Sequence, residues 1–170
     1  VVYTRTTDVY QTPFEKARIA NEVGADYFIS FHRNSSPKEN QYQGVEVLVY
    51  DKSGIKYEMA QNIEGALGEL GFKELGVKAR PGLVVLRKTR MPALLIETGF
   101  INSDSDNRLY DEKKQETAKA IATAVLGTLS DETIEQPLYY RVQTGAFRRR
   151  ENADQMLYQL TDQGFPGFLL

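Results

Sequence analysis

Apolar and polar residues alternate along the chain in blocks that predict strands separated by helices. Residues 26–32, 44–50, 83–86 and 92–97 are short apolar runs bounded by polar or turn-forming residues, the pattern of strands. Valine stands at every second position of the 44–50 run, which places Val45, Val47 and Val49 on one face of the strand.

Apolar residues at helical spacing predict helices over residues 13–23, 55–70 and 106–129. Thr12-Pro13-Phe14-Glu15 provides the first helix with a capping threonine, a proline at its first position and a glutamate that completes a capping box. Strands alternating with helices indicate an α/β fold, a twisted and mostly parallel or mixed sheet flanked by helices.

A second, smaller unit follows the third predicted helix. Residues 130–138 are polar, acidic and rich in turn formers, so we expect a linker between a domain at 1–129 and a partial α+β unit at 139–170. In that unit the pattern predicts a strand over 139–147, a helix over 151–163 and the start of a further strand at 168–170.

Composition argues against a membrane-spanning protein and against a general nucleic-acid-binding protein. The chain is 41% hydrophobic and 26% charged, which is ordinary for a soluble globular protein, and it has no apolar run long enough to span a membrane. A net charge of −2 implies no overall field for binding nucleic acid. The chain starts at Val1, without methionine and within an apolar run, so we expect an internal segment of a longer protein.

Two predicted strands each end in one ionisable residue. His32, the only histidine, closes the first, and Glu97 closes the fourth. Ligands gather at the carboxyl ends of strands in open α/β sheets, so this pair indicates a hydrolytic zinc site with one metal ligand and one general base. His32 as a structural residue, and Glu97 paired with Arg87 or Arg90, remain open alternatives.

This chain cannot complete a catalytic zinc site from histidine and cysteine. Such sites usually take three protein ligands and a water, and the sequence contains no cysteine and no second histidine. Either the remaining ligands lie upstream of Val1, or no zinc is bound.

Four segments resemble the zinc-dependent N-acetylmuramoyl-L-alanine amidases of the amidase-3 family. They are YTRTTD at 3–8, ARIAN at 17–21, FISFHRN at 28–34 and PALLIETGFIN at 92–102, and the resemblance spans residues 1–129. It implies a peptidoglycan hydrolase that cleaves between N-acetylmuramic acid and L-alanine of the stem peptide. It also implies Zn²⁺ as cofactor, with His32 as a zinc ligand and Glu97 as the catalytic carboxylate.

The resemblance also implies substrate-binding residues in this chain and two further zinc ligands that this chain does not contain. Arg33 and Asn34, beside the histidine, are the candidate substrate-binding residues; many relatives carry alanine where Arg33 stands. A histidine in a Gly-His-Gly-Gly loop and a glutamate on the following helix supply the family's other zinc ligands, and both are expected upstream of Val1. We therefore expect residues 1–170 alone to be inactive.

Residues 140–147, YRVQTGAF, resemble the first strand of a SPOR domain. This resemblance implies binding to peptidoglycan, commonly to glycan strands stripped of stem peptides. With the amidase resemblance it implies peptidoglycan, both glycan and stem peptide, as the partner, and this substrate implies an extracytoplasmic location, in the cell wall or secreted. The oligomeric state stays open. Two other functions also remain open: a non-catalytic peptidoglycan-binding protein on a degenerate amidase fold, and a zinc peptidase acting on the stem peptide.

Overall fold

A four-stranded mixed sheet organises the first of two units in the computed structural model, which describes residues 1–135 and 150–163. The strands are β1 (Phe28–Asn34), β2 (Glu46–Val49), β3 (Lys78–Ala79) and β4 (Ala93–Phe100). The helices of this unit are α1 (Pro13–Glu22), α2 (Gly54–Glu69), α3 (Val84–Arg87), α4 (Asp104–Glu112) and α5 (Lys114–Glu135).

The strand order across the sheet is β1-β4-β2-β3. β4 lies parallel to β1 on one side and antiparallel to β2 on the other, and β2 runs parallel to β3. This confirms the predicted mixed sheet flanked by helices, and it places β1 at one edge.

Two predicted elements are wrong in type or extent. Residues 83–86 do not form a strand, because Val84–Arg87 is the short helix α3. A four-residue apolar run has no periodicity that separates a strand from one buried helical turn. The single helix predicted over 106–129 is two helices, which separate at Lys113, whose φ of −118° and ψ of 29° are not helical.

Each face of the sheet has its own apolar cluster. On one face, odd-numbered residues of β2 and even-numbered residues of β4 pack against α2 and α5. The α2 residues of this cluster include Met59, Ile63 and Leu67. Leu48, Leu95 and Phe28 face the opposite way, towards α1 and α3. Side chains alternate along a strand, so the parity of a residue number tells which face a side chain occupies.

The apolar stripe predicted on α5 is only partly buried. Ile121 lies in the core and Val125 and Leu129 pack against it, but Leu126 is 64% exposed. The contact of α5 with the neighbouring α2 covers a narrower face than the sequence stripe, which leaves Leu126 outside it.

The second unit is described over one helix. α6 (Arg150–Asp162) confirms the helix predicted over 151–163, and the predicted strands at 139–147 and 168–170 lie outside the described residues. α5 continues through Glu135, so the beginning of the proposed 130–138 linker is helical. In the described part of the chain, no helix combines the length and the apolar character that crossing a membrane requires.

Asp106 joins the end of β4 to the entry of β2. Its Oδ2 accepts the backbone N–H groups of Phe100 at 2.7 Å and Gly44 at 2.9 Å, and the residue is 4% exposed. Gly99 has a φ of +75°, and a Cβ there would lie 2.9 Å from the Cβ of Asp106. Glycine is therefore required at 99 for both its backbone conformation and this close approach.

We expect Asp106→Ala to lower the free energy of unfolding by about 2–4 kcal/mol, because it leaves two buried N–H groups without an acceptor. Urea unfolding monitored by circular dichroism measures the change. Asp111→Ala, at an exposed position of α4, is the matched control and should change stability by less than about 0.5 kcal/mol. Equal stability of the two variants would contradict the role given to Asp106.

Candidate active site

Three ionisable residues form a row across neighbouring strands. Glu97 of β4 is the register partner of His32 on β1 and of Glu46 on β2. By the alternation of side chains, all three face the same side of the sheet as Phe28 and Leu95. Side chains paired in this way lie roughly 5 Å apart, close enough for direct electrostatic interaction. The structure thus brings together the two residues that the sequence singled out.

His32 is accessible to solvent near the end of the edge strand. A hydrogen bond of 2.9 Å links its Nε2 to the Oγ of Ser30, two residues earlier on the same face. The protein atoms packed around the ring lower the pKa of His32, and the positive charges of Lys16 and Arg5 lower it further. The imidazole is therefore neutral near pH 7, and the neutral ring is the form that binds a metal.

Glu97 is half-buried, and its Oε2 is buried with no hydrogen-bond partner. Burial, and secondarily the negative charge of Glu46, raises the pKa of Glu97 to about 7. Neither Arg87 nor Arg90 forms an ion pair with it, since both arginines precede β4 and Glu97 lies well along that strand. The carboxylate can therefore exchange a proton near neutral pH, as a general base does.

Glu46 is a functional neighbour that the sequence analysis missed. It is 7% exposed, and its carboxylate accepts hydrogen bonds from Lys78 Nζ and, at 2.8 Å, from Asn34 Nδ2. Part of the signal was present in the strand pattern: with valine at 45, 47 and 49 on one face, residue 46 had to face the other way. That Glu97 is its neighbour follows only from the pairing of β2 with β4.

The two predicted substrate-binding residues are held by protein contacts. Asn34 binds Glu46, as described. The guanidinium of Arg33 donates to the carbonyl of Phe100 at 3.0 Å and to Oδ1 of Asn107 at 2.8 Å, and it lies 4.6 Å from the centroid of the Tyr110 ring. Alternation along β1 places Arg33 on the face opposite His32, so it is not part of the row.

The side chains present fit one position of a zinc site. His32 offers a neutral imidazole, whereas Lys78 and Asn34 already engage Glu46. Over residues 1–135 and 150–163, no three His, Asp or Glu side chains are grouped so that they could hold a metal ion. These residues supply one ligand beside a free carboxylate oxygen, and a complete site needs about two more protein ligands.

Comparison with known proteins agrees with the observed sheet. The N-acetylmuramoyl-L-alanine amidase family model Amidase_3 matches residues 1–127, and the SPOR domain model matches residues 133–169. The chain therefore belongs to the N-acetylmuramoyl-L-alanine amidase family, with a SPOR domain following the amidase domain.

Individual relatives show the same family. The N-acetylmuramoyl-L-alanine amidase CwlM of Bacillus licheniformis is 30% identical over 174 residues, which cover 100% of this chain and 66% of CwlM. The amidase structure from Clostridium difficile 630 matches with a TM-score of 0.68 and 32% identity, over 75% of this chain and 70% of that one. AmiC2 of Nostoc punctiforme gives a TM-score of 0.68 and 32% identity, over 76% of this chain and 72% of its own. The chain thus spans just under two thirds of the length of CwlM.

We expect Glu97→Gln to raise the melting temperature at pH 8 and to have little effect at pH 4.5. The folded-state pKa of about 7 lies above the ordinary value of 4.5, so ionising Glu97 opposes folding. Stability present at low pH is therefore lost as the pH rises from about 4.5 to about 7, and glutamine avoids this loss.

Thermal unfolding in buffer containing EDTA measures this effect without bound metal. Glu58→Gln, on an exposed position of α2, is the matched control and should show no comparable dependence on pH. A melting-temperature difference for Glu97→Gln that is the same at both pH values would contradict the burial of this carboxylate.

Proposed function

We propose that the protein hydrolyses peptidoglycan at the amide bond between N-acetylmuramic acid and the L-alanine of the stem peptide. One observation carries the proposal: a buried, unpartnered Oε2 of Glu97 lies beside His32 on one sheet face, in a chain of the amidase family. The names of CwlM and of the Clostridium difficile and Nostoc proteins describe them as amidases of this kind.

Glu97 acts as the general base and then as the acid. Its Oε2 takes a proton from the water that attacks the scissile carbonyl, and it returns that proton to the departing alanine nitrogen. The pKa of about 7 suits both steps, because a proton acceptor and donor works best near the working pH. Lys78 and Asn34 restrain Glu46, whose charge helps to set this pKa.

His32 holds one position of a catalytic zinc site through its neutral imidazole. Zinc, when bound, would polarise the scissile carbonyl and lower the pKa of the attacking water towards 7. We infer that residues 1–170 by themselves do not retain zinc tightly or cleave, because the described residues offer no set of three ligands. The remaining ligands would come from the full-length protein.

The place of action is the cell wall, outside the cytoplasm. The SPOR domain at residues 133–169 supports this location, since such a domain would bind peptidoglycan and keep the amidase domain near its substrate. Glycan strands and stem peptides are thus the expected partners of the protein.

A second candidate function is peptidoglycan binding without catalysis, on a degenerate amidase fold. The missing three-ligand group in residues 1–135 and 150–163 favours it. Zinc content of the full-length protein separates the two functions, since only the enzyme requires one tightly held zinc per molecule.

In the full-length protein, we expect Glu97→Gln to lower the rate of dye release from labelled peptidoglycan by at least about 100-fold, since the base is lost. Zinc content should stay unchanged, because Glu97 is not proposed as a ligand. Glu58→Gln is the control and should cleave normally. Normal turnover by Glu97→Gln would refute the role of this residue.

His32→Ala should reduce the zinc content of the full-length protein, because one of three expected ligands is removed. Atomic absorption after dialysis measures the zinc. Unchanged stoichiometry would exclude His32 as a ligand. Stoichiometric zinc on residues 1–170 after dialysis against chelator would contradict the incomplete ligand set.

A further inference from the structure

A cationic loop begins at the last residue of α3 and leads towards β4, ahead of the candidate active site, which lies further along that strand. We use this name for residues 87–90, in which Arg87, Lys88 and Arg90 are all exposed. The loop ends three residues before Ala93, where β4 begins, and Glu97 follows four residues further on. That separation along the strand is roughly 13 Å, so a ligand on the loop leaves Glu97 open.

The three cations of the loop have no anionic partners in the described structure. The acidic side chains that line the clefts beside the loop are engaged by other bases: Glu22 by Arg18 at 2.7 Å, and Asp51 by Lys56 at 2.8 Å. Among the described residues, the loop cations form no ion pair. The loop therefore carries a local positive charge on a chain whose net charge is −2.

The backbone of the loop is fixed by the side chain of Asn21 on α1. Nδ2 of Asn21 donates to the carbonyl of Lys88 at 2.8 Å, and Oδ1 accepts the N–H of Arg90 at 2.8 Å. Thr89 adds a bond of 2.8 Å from its Oγ1 to the carbonyl of Val85. A loop held in this way loses little conformational entropy when a ligand binds.

Clefts open on both sides of Arg90. Lys56, Arg87 and Arg90 line one cleft, which lies beside α2. Arg18, Lys88 and Arg90 line the other, which lies beside α1. A ligand with a single negative charge would use one cleft, whereas a chain with repeated charges can place an anion in each.

We propose that the cationic loop binds a linear wall polymer whose repeating unit carries a phosphodiester. Two of its three cations are arginines, whose planar guanidinium donates paired hydrogen bonds to phosphate oxygens. Phosphodiesters are charged at every pH at which a wall enzyme works. The choice of a wall polymer over nucleic acid rests on the proposed function, but binding itself is independent of hydrolysis.

Fluorescence anisotropy with labelled poly(glycerol phosphate) tests the proposal on the chain of 170 residues at low salt. We expect binding that weakens as salt rises. The variant Arg87→Gln/Lys88→Gln/Arg90→Gln should bind about tenfold more weakly. Arg108→Gln/Lys114→Gln/Lys119→Gln removes the same charge from exposed positions of α4 and α5, and should bind as the unmodified chain does.

Circular dichroism of both triple variants confirms that each is folded. Absence of binding by the unmodified chain, or equal loss in the two triple variants, would overturn the proposal. Equally tight binding of poly-L-glutamate, or tighter binding of an oligothymidylate, would overturn the assignment to a wall phosphodiester. In the full-length protein, dye release from phosphate-free peptidoglycan should be the same for the loop variant and the unmodified protein. If neither the loop variant nor the unmodified protein cleaves while the unmodified chain still binds poly(glycerol phosphate), the proposed hydrolysis is refuted and the binding proposal stands.

Discussion

The position of Glu97 between two strands is the constraint on which the candidate site depends. β4 pairs with β1 in parallel and with β2 in antiparallel fashion, and the two registers place His32 on one side of Glu97 and Glu46 on the other. The sheet thus holds the imidazole of His32 and the carboxylate of Glu46 beside the poorly solvated carboxylate of Glu97. The raised pKa of Glu97 follows from this arrangement, since burial and a like charge both disfavour its ionised form.

Much of the fold followed from local sequence chemistry. The capping box of Thr12 and Glu15 gave the start of α1, and the alternating valines gave the face of β2 that packs against α2. Elements without a clear period were less predictable: the run at 83–86 became a helix. The break between α4 and α5 at Lys113 contains no Gly or Pro from which it could have been predicted. In both cases packing against the rest of the chain decided the conformation, and local propensity did not.

The candidate site was predictable in part for the same reason. His32 and Glu97 stood at the ends of apolar runs, so strand geometry alone made them candidates. Glu46 lies at the beginning of its strand, and its relation to Glu97 depends on strand order and register, which no local pattern contains. The contacts of Arg33 with Phe100 and Asn107 likewise join residues that are distant in sequence.

The antiparallel pairing of β2 with β4 gives the segment that joins β1 to β2 an unexpected influence on the chemistry. Deleting one residue just before Glu46 would shift β2 by one position against Glu97 and turn its side chains to the other face. A valine would then replace the second carboxylate beside Glu97, and the anchors provided by Lys78 and Asn34 would lose their partner. The proton affinity of Glu97 is thus encoded partly in the length of a connection that contains no catalytic residue.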